Sequence, residues 1–217
     1  TRARFSPAIG RWQSGGARLR TAFYVCAALL SFTWCSLPVQ AADFAAAFLE
    51  NGMGARGPGM GGAFVAAVDD ASAPYWNPAG LVRNQGKQAL AALMPLSLDR
   101  RQSSASATLK VRGELAFGFA WLHAGIDQIE GRTGSGIPIG SIEDAENAFL
   151  VAVARALGSR LAVGFTVKIL DQRIDVPGWQ QAKATGHGLD LGLQFRLSDH
   201  LFLAAAARNL DASLDWK

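Results

Sequence analysis

Cysteine is confined to Cys26 and Cys35. A chain cleaved past both would hold no thiol, which excludes a disulfide framework, a thiolate metal site and a cysteine nucleophile. Acidic residues are absent before Asp43, while Arg2, Arg4, Arg11, Arg18 and Arg20 all fall there. Those five account for the formal net charge of +4: without them 21 − 5 = 16 basic side chains face 17 acidic ones, a net of −1. The basic balance is therefore a property of the N-terminus and points to no nucleic-acid partner. Apolar runs of membrane-helix length are missing after residue 42. With 50% hydrophobic and only 18% charged residues, a disordered chain is excluded as well.

What the N-terminus does contain is a basic stretch ending at Arg18 and Arg20, an apolar run from Thr21 to Leu37, and then Pro38-Val39-Gln40-Ala41-Ala42. Small residues at Val39 and Ala41 suit a signal peptidase, so residues 1–41 read as an export signal cut after Ala41. A membrane anchor is the competing reading. Its run is about 17 residues and carries Ser31, Thr33 and Ser36, the short limit for a spanning helix. Neither cysteine has the neighbours of a lipoprotein site.

Two textures follow. Residues 42–84 are rich in glycine and alanine, with Gly52, Gly54, Gly57, Gly59, Gly61 and Gly62 close together, and neither regular helix nor strand is expected. Residues 85–217 alternate with a period of two. Leu189, Leu191, Leu193 and Phe195 oppose Asp190, Gly192, Gln194 and Arg196; Leu161, Val163, Phe165, Val167 and Ile169 oppose Ala162, Gly164, Thr166 and Lys168. Similar patterns surround Phe117 and Val151, and Lys87–Leu98, Ser103–Val111 and Leu201–Leu210 complete seven antiparallel strands. Short links at Arg112-Gly113, Gly158-Ser159 and 198–200 alternate with long ones at 125–147 and 173–185, the habit of outer-membrane barrels.

The second face of these strands is mostly glycine and alanine, where a water-facing sandwich would carry Lys, Glu, Thr and Ser. Such a face fits the interior of a closed sheet, with Lys168, Asp190, Gln194 and Arg196 in the lumen. The opposite face of Leu, Val and Phe, with Trp121 near a strand end, fits lipid. The expected fold is thus all-β, an antiparallel transmembrane barrel; a soluble periplasmic β-sandwich with a structural role is the alternative.

The block GARGPGMGGAFVAAVDDASAPYWNPAGL, Gly54 to Leu81, resembles the start of FadL/TodX-type outer-membrane transporters and of related PorV-like barrels, where a glycine-rich opening, Asp-Asp-Ala and Asn-Pro-Ala follow the signal in this order. Asp69-Asp70-Ala71 and Asn77-Pro78-Ala79 match, and Tyr75-Trp76 is closer to the PorV-like branch. The resemblance implies about fourteen strands, an inner hatch over 42–84 and passage of hydrophobic molecules, with Gly59, Gly61, Gly62, Asp69, Asp70, Tyr75, Trp76, Asn77, Pro78 and Ala79 as hatch and gate residues. Seven strands cannot close such a barrel, so 85–217 reads as the N-terminal half of a longer one.

Other constellations carry bland readings. Gly52, Gly54 and Gly57, like Gly57, Gly59 and Gly62, satisfy G-x-G-x-x-G, but no βαβ unit surrounds them, and close backbone packing is expected instead of a cofactor. Neighbouring carboxylates on an extended chain point apart, so Asp69 and Asp70 should not act as a pair; Asp70 should cap a turn before Pro74 or pair with a wall Arg or Lys. Asn77 before Pro78 reads as an Asx-type turn. His123, His187 and His200 show no metal or triad spacing, and Ser72 lacks a nucleophile elbow. No catalytic residue, metal or cofactor is expected.

The leading functional expectation is passive outer-membrane transport of hydrophobic compounds, long-chain fatty acids or aromatic hydrocarbons, with membrane lipid and a hydrophobic small molecule as partners. The alternative is a PorV-like barrel that receives or tethers exported proteins.

Overall fold

The computed structural model describes residues 46–216 apart from 98, 112, 113 and 179. The expected signal segment, its cut after Ala41 and both cysteines lie outside the described residues.

Seven antiparallel strands form one meander in chain order: β1 (Lys87–Pro95), β2 (Arg100–Lys110), β3 (Leu115–Arg132), β4 (Pro138–Leu157), β5 (Leu161–Asp175), β6 (Ala182–Arg196) and β7 (Phe202–Trp216). The fold is all-β, as the alternation predicts. Registers line up side chains of one kind. Phe119, Val151, Val167 and Leu189 form one continuous row, and Phe117, Val153, Phe165 and Leu191 the next. Branched and aromatic cross-strand neighbours of this sort are the unit of sheet stabilisation.

These rows lie on the outer face, which is exposed; Leu191 and Val151 each keep 54% of their surface. The inner face is buried and rich in small residues, including Ala116, Ala120, Ala148, Ala152 and Ala154, with Leu122, Leu150 and Leu170 among them. What covers it is the segment 46–84. Helix was not expected there, yet the segment contains short helical elements of four to six residues at Ala47–Asn51, Arg56–Gly59, Ala73–Trp76 and Pro78–Arg83. Turns this short are marginal by propensity. Tertiary contact holds them instead, and the last two carry Pro74 and Pro78 in their first turn, where a fixed φ suits the helix. Phe64, Val68, Ala73 and Leu81 are fully buried in the core shared with the sheet.

The expected long links are mostly strand. β3 and β4 continue past residue 125 to a turn around Thr133–Ile137, and β5 and β6 run to a connection at 176–181. Beyond the apolar band the residues alternate no longer: Asp144, Glu146, Arg173 and Lys183 bring charge, and the hydrophobic period vanishes while backbone pairing continues. Strand extension at one end therefore replaces the predicted loop asymmetry.

Gly164 and Gly192 show why the inner face must be small. A Cβ on Gly164 would lie 2.7 Å from the Ala79 nitrogen, and one on Gly192 would collide with the Asn77 side chain. Gly164→Val should therefore cost about 1–3 kcal/mol by overpacking. Denaturant unfolding should register that loss, with faster proteolysis inside 46–84 while strand content by circular dichroism persists.

Candidate functional site

The segment's tightest attachment is the turn at Asn77-Pro78-Ala79. Asn77 is fully buried with extended backbone, and its Oδ1 accepts from the Ala79 N–H at 3.0 Å, the Asx-type turn read from the sequence. Its Nδ2 reaches further, donating to the Val65 carbonyl at 3.0 Å and the Leu193 carbonyl on β6 at 3.3 Å. One side chain thus ties the turn to its own segment and to the sheet. Beside it, the Thr166 hydroxyl donates to the Pro74 carbonyl at 2.9 Å and Gln194 Nε2 to the Ala66 carbonyl at 2.9 Å.

Tyr75 and Trp76 pack edge to face with ring centroids 4.9 Å apart. The Tyr75 hydroxyl donates to the Leu49 carbonyl, and Trp76 Nε1 to the Met53 carbonyl at 3.0 Å. Both rings use their polar ends to hold the start of the segment, the usual requirement for a buried Tyr or Trp. Burial pushes the Tyr75 phenol up to about 12, so it remains a donor. A Cβ on Gly57 would run into the Trp76 indole, which bears out the close-packing reading at that glycine. Gly59, Gly61 and Gly62 differ: they are exposed, with open space where a Cβ would stand, and Gly61 and Gly62 have positive φ. Conformation rather than packing accounts for glycine at those two.

Asp69 and Asp70 act together, contrary to the expectation that adjacent carboxylates point apart. The backbone there is not an extended strand, and Arg56 Nη1 bonds both, Asp69 Oδ1 at 2.8 Å and Asp70 Oδ2 at 2.5 Å. Arg83 adds a 3.7 Å ion pair to Asp69. Asp70 also accepts from the Ser72 N–H at 2.9 Å and hydroxyl at 2.5 Å, capping the turn before Pro74 as predicted. Burial alone would raise the Asp70 carboxyl, but Ser72 and Arg56 outweigh it and hold the group below its ordinary range.

The lumen-facing candidates divide. Lys168 and Asp190 form a buried ion pair at 2.8 Å, with 2% and 0% of their side-chain surface exposed. Asn209 bridges both members: its N–H donates to Asp190 Oδ1 at 2.9 Å and its Oδ1 accepts from Lys168 Nζ at 2.7 Å. Asn209 can do this because β7 bulges against β6 and the residue adopts φ 57°, a conformation in which Asn is favoured among non-glycine residues. Arg208 lies 5.6 Å from the centre of the Tyr75 ring and 5.9 Å from that of Trp76. Gln194, on the inner face, is buried and holds the segment through the Ala66 carbonyl. Arg196 has the same parity but sits exposed at the strand end, 4.0 Å from Asp199.

Sequence reasoning missed Arg56, Thr166 and Asn209. Arg56 offered no signal beyond its charge, whereas Asn209 and Asp211, both at positive φ, mark an irregular strand that a pair of Asn/Asp two residues apart could have flagged. His187 and His200 are exposed, and His123 is half-buried beside Trp121 and Asn147. Among the described residues no group of three or more His, Cys, Asp or Glu is placed to hold a metal, and no helix is long and apolar enough to cross a membrane, which says nothing of strands. Comparisons with protein-family models, curated proteins and solved structures return no match.

Removing one member of the buried pair strands the other charge. Lys168→Met should cost about 3–5 kcal/mol, while Lys168→Met with Asp190→Leu should recover much of that loss in the same denaturant titration. Asp70, depressed when folded, contributes stability that is complete above its unfolded value of 3.8 and disappears as pH falls through the folded one. Proteolysis within 55–72 should therefore accelerate below about pH 4 in the wild type, and Asp70→Asn should already be fast at neutral pH and flat with acid.

Proposed function

We propose that the chain forms wall and inner plug of an outer-membrane β-barrel that passes hydrophobic compounds passively. The observation that carries this reading is the inverted sheet: large apolar side chains face outward and exposed, while the small and polar face is buried beneath 46–84. From Leu161 to Ile169 the outward residues of β5 are all apolar, eight steps or about 27 Å of strand, comparable with a membrane barrel's apolar band. Trp121 and His187 stand at one end of that band, opposite Phe149 and Ile169 in the register.

Curvature favours the same reading. The six-residue turn Pro78–Arg83 lies against every strand from β2 to β6. Five strands laid flat would span about 19 Å, so a sheet that curls around the turn accounts for the reach. The outer backbone edges of β1 and β7 have no partner strand among the described residues. Exposed edges in lipid would each leave several groups unpaired, and further strands closing the ring would satisfy them.

In this reading 46–84 is the hatch. Its clasp on β5 and β6 is made by Asn77, Pro78 and Thr166, and passage requires that clasp to shift. Cells making the full-length protein with Asn77→Ala and Pro78→Ala should take up a labelled hydrocarbon such as toluene at an altered rate, while heat-modifiable gel migration stays normal. Unchanged uptake in a normally folded double variant would reject the hatch role.

A further inference from the structure

We propose that the inner face of β2 carries a hydrated seam between segment 46–84 and the wall, a route for water and small uncharged hydrogen-bonding solutes that is separate from the passage of hydrophobic compounds. Gln102, Ser104, Ser106 and Thr108 alternate along the buried side of that strand, each with only 2–6% of its surface exposed. β3 places Ala124, Leu122, Ala120 and Gly118 opposite these four. One strand thus lays a row of polar side chains across an otherwise apolar floor.

Part of that polarity is matched within the chain. Gln102 Nε2 donates to the Gly52 carbonyl at 2.6 Å, and the Thr108 hydroxyl accepts from Asn84 Nδ2 at 2.8 Å. The rest is not: Gln102 Oε1, Ser106 Oγ and Asn84 Oδ1 are buried with no hydrogen-bond partner among the described residues. A buried polar atom left this way carries its full desolvation cost, and water is the usual partner where the chain supplies none. Gln102 and Ser104 line a cavity of about 170 Å³ between β1, β2 and Gly54-Ala55, with room for several water molecules. Past Thr108 the row reaches Lys110, on the wall of a second cavity of about 460 Å³ at the short-turn end. Alternate residues of a strand stand about 7 Å apart, a gap that one or two waters bridge, so Ser104 and Ser106 are stepping points between the two cavities. Arg100 and Lys110 stand at the two ends of β2, which contains no acidic residue, and their charge disfavours cations while leaving neutral solutes free to enter. On β5 and β6, by contrast, Thr166 and Gln194 bond the segment's carbonyls directly. The dry attachment is there and the wet one on β2.

The seam goes beyond the transport reading and rests on it only for a membrane that separates the two ends; hydration can be measured without it. In full-length protein in lipid nanodiscs, water-edited solid-state NMR should carry polarisation from water to Ser104 and Ser106 at least about threefold faster than to Thr166, whose hydroxyl is committed to the Pro74 carbonyl. In proteoliposomes challenged with glycerol and followed by stopped-flow light scattering, entry should slow at least about threefold in Ser104→Ala/Ser106→Ala, because an apolar constriction expels water. Ser103→Ala, on the outer face of the same strand, should leave the rate unchanged. Toluene uptake and heat-modifiable migration should persist in the double variant. Absence of toluene uptake from the wild type, with fast polarisation of Ser106, would remove the transport reading and leave the seam standing. Polarisation of Ser106 as slow as that of Thr166, or unchanged glycerol entry in a normally migrating double variant, would overturn the seam.

Discussion

The Asn77 amide joins three parts of the molecule that no backbone ladder connects. It closes its own turn through Ala79, grips the preceding chain at Val65, and reaches the β6 backbone at Leu193. The side chain is fully buried, so each of these carbonyls and N–H groups would lack water if the amide were lost. Everything else about the inner face follows from the need to bring that turn down to the sheet. Glycine at 164 and 192 leaves room for it, alanine around them keeps the floor low, and Thr166 and Gln194 meet the Pro74 and Ala66 carbonyls of the segment.

A sheet whose small residues face inward has to put its large ones outward. That distribution reverses the economy of a soluble sandwich, in which burial of Leu, Val and Phe drives folding. Here much of the apolar surface of β3 to β6 is left for an environment outside the chain, and the core joins the segment's own Phe64, Val68, Tyr75, Trp76 and Leu81 to alanines and to Leu122, Leu150 and Leu170 of the sheet. The resulting stability is concentrated in the segment–sheet contact, so disturbance of 46–84 exposes the inner face as a whole.

Polar chemistry on the inner face is concentrated where regular pairing fails. The bulge in β7 turns Asn209 into a positive-φ conformation and lets both its backbone and its side chain serve the Lys168–Asp190 pair. A buried ion pair stabilises little by itself once desolvation is counted, but it strongly disfavours any arrangement that separates its members. The pair therefore pins the register of β5, β6 and the irregular β7, a stretch in which runs of alanine specify register weakly.

Alternation of Leu, Val and Phe with Gly and Ala was enough to determine the strands, their antiparallel order and the two unlike faces, because a period of two survives any tertiary context. The Asx turn at Asn77 and the turn cap at Asp70 were also legible, being interactions between residues two apart. Strand continuation past Gly125 and Arg173 was not, since backbone hydrogen bonds persist without a hydrophobic period. The joint hold of Arg56 on Asp69 and Asp70, the partner of Gln194 and the role of Asn209 were decided only by tertiary structure. Each joins residues separated by 13 or more positions, or depends on a bulge, and no local pattern encodes which distant carbonyl or carboxylate will arrive opposite a given donor.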